Sequence, residues 1–352
     1  MIFNTLNESN ERGELLLIDG GFCHWHLRRD GQLTIREIIS NKPGAGQQIL
    51  NRLRFTVGAT SLFAKCPVEL PANDWYKRRG FSLEETENTK SGAAVNHWRL
   101  VLANQYLPNA NGIELIYCAD RNKRFMNIAL DTGFLPGVQL PSFTYYRPYM
   151  ADQEWKSPDR AQYMAALAEH KPRIATVLDW EQDDQLPEVM SWANEASEHC
   201  EIVVIIPKVW GGIQRLPRTI KGKEVRLGYS VPTKFGATDT PLSEFQGWPV
   251  HLLGGSPHVQ LHYANLLDVK SADSNYMQKM ATQYCQYWTR HSRMTKNRHW
   301  PTLQESDGGW SENAIYEAFR RSCHNIMLAW KQRETQVVNY QLPLFKTLES
   351  VI

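Results

Sequence analysis

Three aspartates that follow apolar segments are candidate catalytic residues. Asp152 lies in Tyr-Met-Ala-Asp, Asp179 ends an apolar run, and Asp273 lies in Lys-Ser-Ala-Asp. A carboxylate beside an apolar segment is costly unless it faces a cavity or a partner. Converging carboxylates suit reactions at a glycosidic carbon, where one is the nucleophile and another the acid and base. Each aspartate alone also fits a helix cap or an ion-pair member.

A glycine loop in the first hundred residues is the second candidate site. Gly44 and Gly46 lie in the segment NKPGAGQQIL, between a strand pattern and a helical pattern. Backbone N–H groups at a helix N-terminus bind phosphates where glycines keep side chains away. Pro43 removes one of these donors. A tight strand–helix turn explains the same residues without a ligand.

Alternating apolar residues predict a small strand-rich unit over residues 14–102. In its central strand, Leu33, Ile35 and Glu37 share one predicted face. The glycine loop follows this strand and leads into an amphipathic helix. Further on, Asn73 or Asp74 is placed to cap a short helix that stops at a glycine.

After a polar, Pro- and Gly-containing linker, continuous apolar runs alternate with amphipathic segments. This pattern is typical of a parallel sheet covered on both faces, and six or more such units favour a (β/α) barrel. Polar residues at the carboxyl ends of barrel strands are then the candidate site residues. The predicted fold class is α/β, a short mixed sheet followed by a barrel-like domain and a basic helical extension. The predicted boundaries are 1–103 for the first domain, 104–112 for the linker, 113–284 for the barrel, 285–335 for the extension and 336–352 for the tail.

Composition excludes several classes of protein. The chain has 352 residues, 42% of them hydrophobic, and a net charge of +2, which is typical of a globular protein and not of a disordered one. No apolar run approaches the roughly 20 residues that span a bilayer. Six cysteines without a CxxC pair argue against a disulfide framework and a zinc site. We expect a cytoplasmic protein with no metal and no membrane association.

Two basic segments indicate a nucleic-acid partner, because clustered cations with interleaved aromatics are the footprint of nucleic-acid binding. A solvated charged face explains them equally well. The candidate contacts are Arg215, Arg218, Lys221, Lys223, Arg290, Arg293, Lys296 and Arg298.

The first unit resembles the GNAT N-acetyltransferase family. Lys42, Gly44 and Gly46 match that family's R-x-x-G-x-G/A loop, which binds the pyrophosphate of acetyl-CoA. The stretch beginning at Asn73 and containing Tyr76 matches its N-x-x-F/Y-Y-x-x-x-G-F motif. The resemblance implies acetyl-CoA as cofactor, Tyr76 as proton donor to the departing thiolate and Glu37 as a candidate base. The implied cofactor contacts are Lys42, Gly44, Ala45, Gly46, Gln47 and Asn73.

The barrel resembles the tRNA-guanine transglycosylase superfamily, which includes relatives that act on DNA. Gly254 and Gly255 match the glycines that precede the strand with the nucleophilic aspartate, here Asp273. Asp152 matches the acid/base aspartate of the D-S-G-G motif, although Gln-Glu-Trp follows it here. Asp179 matches an aspartate that reads the heterocycle's edge. The superfamily's zinc cluster is absent in recognisable form.

The two resemblances together imply a nucleic-acid base modification enzyme of the phage or mobile-element type. The barrel would bind or exchange a base, and a modified heterocyclic base is one expected partner. The first unit would transfer an acetyl group to an amine. DNA is favoured over RNA as the partner. Three alternatives stay open at this point: an acetyltransferase with a non-catalytic substrate-binding barrel, a non-enzymatic nucleic-acid-binding protein, and a base excision enzyme.

Overall fold

The chain divides into two compact units, Met1–Tyr106 and Leu107–Ile352. The computed structural model describes residues 13–89, 92–102, 112–118, 122–232, 237–290, 300–303 and 311–346, with side chains described as far as residue 333. Most of the predicted linker, 104–112, lies outside the described residues. The predicted domain boundaries therefore stay predictions.

Unit 1 is a six-stranded mixed sheet with two helices. Its strands run in the order β1-β2-β3-β4-β6-β5, and β3 and β4 are parallel while the other neighbours are antiparallel. This confirms the predicted short mixed sheet. The elements are β1 (Gly13–Ile18), β2 (Gly21–Leu27), β3 (Gln32–Ser40), α1 (Ala45–Arg54), β4 (Ser61–Pro67), α2 (Ala72–Arg78), β5 (Ser82–Asn88) and β6 (Ala94–Val101).

A register shift in the β2–β3 pair turns Glu37 away from the core. Trp25 pairs with Ile35 and both are buried, whereas His24 pairs with Glu37, so β3 carries one extra residue between the two pairs. Such a bulge moves the following side chains to the other face of the sheet. The predicted common face of Leu33, Ile35 and Glu37 is therefore wrong beyond Ile35, and Glu37 is exposed.

The two helices of unit 1 pack into one apolar core. α1 starts after Gly44, whose φ of 88° favours glycine, and it buries Ile49, Leu50 and Leu53. The cap of helix α2 is Pro71, two residues before Asn73 and three before Asp74, the predicted caps. Proline suits a helix start because its ring fixes φ and it needs no N–H partner there.

Unit 2 contains eight parallel strands that close into a barrel, as predicted. β15 pairs with β7, and β11 pairs with β13, so the sheet has no break between its first and last strands. β12 is a short antiparallel addition to β13. The elements are β7 (Glu114–Cys118), α3 (Lys123–Thr132), β8 (Leu135–Leu140), β9 (Met150–Gln153), α4 (Arg160–His170), β10 (Ile174–Trp180), α5 (Leu186–Ala196), β11 (Ile202–Pro207), β12 (Thr219–Ile220), β13 (Lys223–Ser230), β14 (Val250–Leu253), α6 (Pro257–Ala264), β15 (Val269–Asp273), α7 (Tyr276–Tyr284) and α8 (Glu312–Lys346).

The predicted basic helical extension over 285–335 is not confirmed. The segment begins without helix, and Gln286 forms an isolated bridge with Thr302. Helix α8 follows and packs on the barrel, with the Phe319 ring 4.9 Å from Phe125 and 5.1 Å from Tyr117. Its buried aromatic face covers β7 and α3, so α8 belongs to the outer helical layer.

No helix among the described residues has both the length and the apolar character to cross a membrane.

Candidate functional site

The barrel brings the three predicted aspartates to one end. Asp273 is the last residue of β15, Asp152 lies near the end of β9, and Asp179 is the next-to-last residue of β10. The barrel strands are parallel, so their carboxyl ends open on a common mouth. Burial is the main cause of the raised pKa of Asp152, and the charges of Asp273 and Asp179 raise it further, so both of these carboxyl groups lie within electrostatic range of Asp152.

Asp152 is held as the acid of the group. Burial raises its pKa to about 7, and the Asp273 charge adds to the increase. The Thr176 hydroxyl opposes the shift by donating to Asp152 Oδ1 at 2.9 Å. That hydroxyl is oriented because Thr176 Oγ1 accepts the Gln153 N–H at 2.8 Å. A carboxyl group with this pKa releases and takes up protons near neutral pH.

Asp273 is held by two donors that share one oxygen. Asp273 Oδ1 lies 3.2 Å from the Gly254 nitrogen and 3.2 Å from His251 Nε2. No described residue donates to Oδ2, and the side chain is 12% exposed. One carboxylate oxygen is thus fixed by the protein, and the other is left to meet a substrate.

The two predicted glycines position Asp273 through the backbone. Gly254 has φ 63° and Gly255 has φ 82°, both in the region that favours glycine. A Cβ on Gly255 would also lie 2.3 Å from Val231 Cγ1. The Gln260 amide joins β14 to β15 by donating to Gly254 O at 2.8 Å and to Asp273 O at 2.7 Å.

Asp179 forms an ion pair that the sequence did not indicate. Lys208, just after β11, places Nζ 2.6 Å from Asp179 Oδ2 and 2.7 Å from Glu181 Oε1. Burial would lower the pKa of Lys208, but its bonds to these two carboxylates outweigh burial and raise it. Asp179 is therefore paired in this structure, and its role in reading a heterocycle stays a prediction.

Cys118 ends β7 beside the carboxyl pair. Burial raises the pKa of its thiol, and the Asp273 and Asp152 charges raise it further. The thiol is therefore neutral at pH 7 and acts as a small lining group, not as a nucleophile.

Exposed aromatic side chains follow the barrel strands at the mouth. The rings of Trp180 on β10 and Tyr229 on β13, by contrast, are buried in the core. Trp210, after β11, is 80% exposed, and two further exposed rings follow β8 and β9, Phe143 at 66% and Trp155 at 56%. Exposed rings on loops that surround a barrel mouth suit stacking on planar groups.

The basic segment before β14 does not form one patch. Arg215 follows β11 at the mouth, where its guanidinium lies over the Trp180 ring and pairs with Asp183. Lys221 and Lys223 flank the start of β13, at the opposite end of the barrel. Arg218 lies there too, bonded at 2.7 Å to Gly247 O before β14. The basic residues of this segment therefore lie at two opposite ends of the barrel, although they are close in sequence.

The second basic segment lies largely outside the described residues. Arg293, Lys296 and Arg298 lie outside the described residues, whereas Arg290 is described and donates to Gln332 on α8. Nucleic-acid binding by these residues stays a prediction.

In unit 1, the strand before the glycine loop separates from its parallel neighbour. Gln32–Ile35 of β3 pair with Ser61–Ala64 of β4. Beyond these residues β3 continues to Ser40 and β4 to Pro67, and the two strands do not pair with each other. The two strands therefore open into a wedge towards the N-terminus of α1. A wedge of this kind gives an extended ligand access to unpaired backbone groups.

The glycine loop leaves open space, although its first amides bond internally. A Cβ on Gly44 would meet no atom within 4 Å, whereas one on Gly46 would lie 3.0 Å from the Trp75 ring. The Ala45 N–H reaches Lys42 O and the Gly46 N–H reaches Ser40 Oγ, each at 3.2 Å. These are long hydrogen bonds, which phosphate oxygens can replace.

Two further predicted cofactor contacts of unit 1, Lys42 and Asn73, form bonds within the protein. Lys42 pairs with Asp19 at 2.8 Å on the surface. The Asn73 side chain is used inside the unit: its amide donates to Pro67 O at 2.7 Å, and its oxygen accepts from Trp98 Nε1 at 2.8 Å. Asn73 thus has a structural role inside the unit, and its contact with a cofactor stays a prediction.

Tyr76 is packed against Phe81, Trp75 and Trp98. Burial raises the pKa of its hydroxyl, and Cys66 and Cys23 raise it further. The hydroxyl stays protonated at neutral pH, which is compatible with the predicted proton donor and excludes a base. Glu37 remains a predicted base on an exposed face.

Among the described residues, no group of three His, Cys, Asp or Glu side chains is arranged to hold a metal ion, and all six cysteines are free.

Sequence reasoning missed His251, Ser271 and Thr176. Each is a buried polar residue inside an otherwise apolar strand, and that interruption is the signal that could have identified it.

The architecture defines unit 2 as a closed (β/α)-barrel protein with an acid-lined mouth. The chain belongs to the family described as "Family of unknown function (DUF6610)", which matches residues 129–331. The match includes all three aspartates of the mouth. Comparison with curated proteins gives no match.

Two solved structures share a limited likeness with the chain. One is described as a streptothricin acetyltransferase from Bacillus anthracis str. Ames in complex with acetyl coenzyme A, with 14% identity and a TM-score of 0.20 over 23% of this chain and 56% of that one. The chain thus spans little more than half of that protein. The other is described as an acetyltransferase from Agrobacterium tumefaciens, with 20% identity and a TM-score of 0.22 over 27% of this chain and 77% of that one. These scores are too low to support a function, which has to come from the geometry.

The coupling between the two carboxyl groups gives a direct prediction. Asp273→Asn removes a negative charge near Asp152, so the Asp152 pKa should fall below its value of about 7 while burial keeps it above 3.8. Carboxyl-carbon NMR titration of Asp152 measures the midpoint. Asp268→Asn is the matched control, because Asp268 is exposed and pairs with Lys270. A midpoint that Asp273→Asn leaves unchanged contradicts the coupling.

Proposed function

We propose that this chain modifies nucleic-acid bases and that its barrel exchanges a base at a glycosidic bond. The observation that carries the proposal is that two carboxyl groups at the barrel mouth, Asp152 and Asp273, have different environments. Asp152 has a pKa of about 7, whereas Asp273 has one oxygen held by two donors and the other available. Glycosyl transfer with retention needs one carboxylate as nucleophile and one carboxylic acid as proton donor.

The reaction is a double displacement. Asp273 Oδ2 attacks C1′ of a nucleoside, the C1′–N bond breaks, and the leaving base takes the proton of Asp152. The sugar is then held as an ester of Asp273. An incoming heterocycle loses its N–H proton to Asp152 as its nitrogen attacks C1′. The ester bond breaks, and both carboxyl groups return to their first states.

The surroundings of the mouth support a planar base as substrate. Trp155 and Trp210 provide exposed rings, and Lys156 lies 5.3 Å from the Trp155 ring. Stacking on aromatic rings is sequence-tolerant because every base has a π-face. Arg215 adds a cation at the same end of the barrel. We favour DNA over RNA as the polymer.

Incorporation of radiolabelled guanine into duplex DNA and into tRNA tests base exchange. We expect Asp273→Asn to abolish incorporation, because no other described carboxylate at the mouth has the same pair of donors. Asp268→Asn should leave incorporation unchanged. Equal incorporation by the Asp273→Asn variant rules out the assigned nucleophile, and release of free base without incorporation makes the chain a base excision enzyme.

A second candidate function, acyl transfer from acetyl-CoA, is favoured by the geometry of unit 1. The splayed β3–β4 pair and the open space at Gly44 fit the extended pantetheine arm and the pyrophosphate. The loop N–H groups of Ala45 and Gly46 would hold the phosphates, and the thioester would supply the acyl group. An amine on the base handled by the barrel is the acceptor that we infer.

A negative charge introduced at the start of α1 tests whether the glycine loop binds the cofactor. Gln47→Glu places a negative charge in the first turn, where it favours the helix dipole but repels a pyrophosphate. We expect acetyl-CoA affinity to fall about tenfold or more, as measured by calorimetry. Val57→Glu adds the same charge at an exposed position beyond the far end of α1. It should leave affinity unchanged, and equal affinity of all three proteins contradicts the assignment of the loop.

A further inference from the structure

A buried polar column runs down the barrel from Asp273. The column consists of Asp273, His251, Ser271, Arg226 and Glu114. His251 Nε2 lies 3.2 Å from Asp273 Oδ1, and His251 Nδ1 lies 2.7 Å from Ser271 Oγ. Arg226 Nη1 donates to Ser271 Oγ at 2.9 Å and forms an ion pair with Glu114. Every member is buried, and His251 and Ser271 are fully enclosed.

The column fixes the protonation state of His251. Arg226 can only donate, so Ser271 Oγ accepts from it. Ser271 then has one hydroxyl proton to donate, and His251 Nδ1 is the acceptor beside it at 2.7 Å. A proton on Nδ1 would leave this buried hydroxyl without its acceptor, which is costly. The arrangement that satisfies all partners has a neutral ring with its proton on Nε2.

We propose that His251 is a positioning residue for Asp273, acting as a neutral Nε2–H donor whose tautomer is set by Ser271 and Arg226. This inference rests on the proposed base exchange. A neutral donor orients the carboxylate without adding a full positive charge beside it. Together with the Gly254 N–H, it occupies Oδ1 and leaves Oδ2 to attack C1′. The Arg226 cation is paired with Glu114 and stays three hydrogen bonds away from Asp273.

Side-chain NMR of the full chain tests the tautomer without any substrate. In protein labelled with ¹⁵N-histidine, long-range ¹H–¹⁵N correlation separates the two neutral tautomers from imidazolium. The signal that disappears in His251→Gln is assigned to His251. We expect the Nε2–H tautomer at pH 7. An Nδ1–H tautomer or an imidazolium overturns the inference.

The exchange reaction tests the positioning role. His251→Leu removes the donor to Asp273 and should lower kcat for guanine exchange by about 10- to 100-fold with little change in KM, the usual effect of losing a hydrogen bond to a charged group. His251→Gln keeps an N–H donor and should recover most of this loss. Equal rates for His251→Leu and wild type overturn the role.

The two proposals fail in different ways. Absence of exchange by the wild-type chain on DNA and tRNA removes the proposed function, whereas the NMR experiment still reports the tautomer. Circular dichroism and thermal unfolding of each variant separate a folding defect from a catalytic one. If His251→Leu does not fold, Ser271→Ala provides the second test. It removes the hydroxyl that fixes the tautomer, and we expect a mixture of the two neutral forms; a pure Nε2–H signal in that variant overturns the role of Ser271.

Discussion

Burial of Asp152 at the barrel mouth, reinforced by the charge of Asp273, governs the chemistry of unit 2. Burial disfavours the ionised form of Asp152 and the charge of Asp273 disfavours it further, and together they raise the pKa of this carboxyl group to about 7. Because the folded-state pKa of Asp152 is raised, its contribution to stability is full below about pH 4 and declines as the pH rises through 7. Burial of Asp152 therefore lowers the stability of the folded state at neutral pH, and the same burial gives this carboxyl group the pKa of a proton donor.

Barrel closure creates this juxtaposition. Asp152 and Asp273 are more than a hundred residues apart in sequence. The β15–β7, β7–β8 and β8–β9 pairings place their strands three positions apart in the closed sheet, with β8 and β7, the strand that ends at Cys118, between them. The turn at Gly254 and Gly255 then brings a backbone amide onto Asp273. Behind it, Glu114 and Arg226 form an ion pair inside the barrel, so that neither of these two charges is buried without a partner.

The sequence predicted the classes of both units and the common position of the three aspartates, because each aspartate marks the end of a continuous apolar run. It failed where tertiary geometry reverses a local pattern. A bulge in β3 turned Glu37 away from the face of Leu33. Arg215 follows the end of β11 and Lys223 begins the parallel strand β13, so the two residues lie at opposite ends of the barrel. The orientation of His251 depends on hydrogen bonds to residues distant in sequence, which no spacing rule shows.

Mass spectrometry of nucleosides from DNA and RNA of cells that do and do not produce the chain tests base exchange at the barrel mouth most directly. We expect a nucleoside with an altered heterocycle that depends on Asp273, and an acetyl increment on it that depends on the loop at Gly44. Identical nucleosides in both cells, with the chain folded and present, would contradict the central claim of base exchange at the barrel mouth.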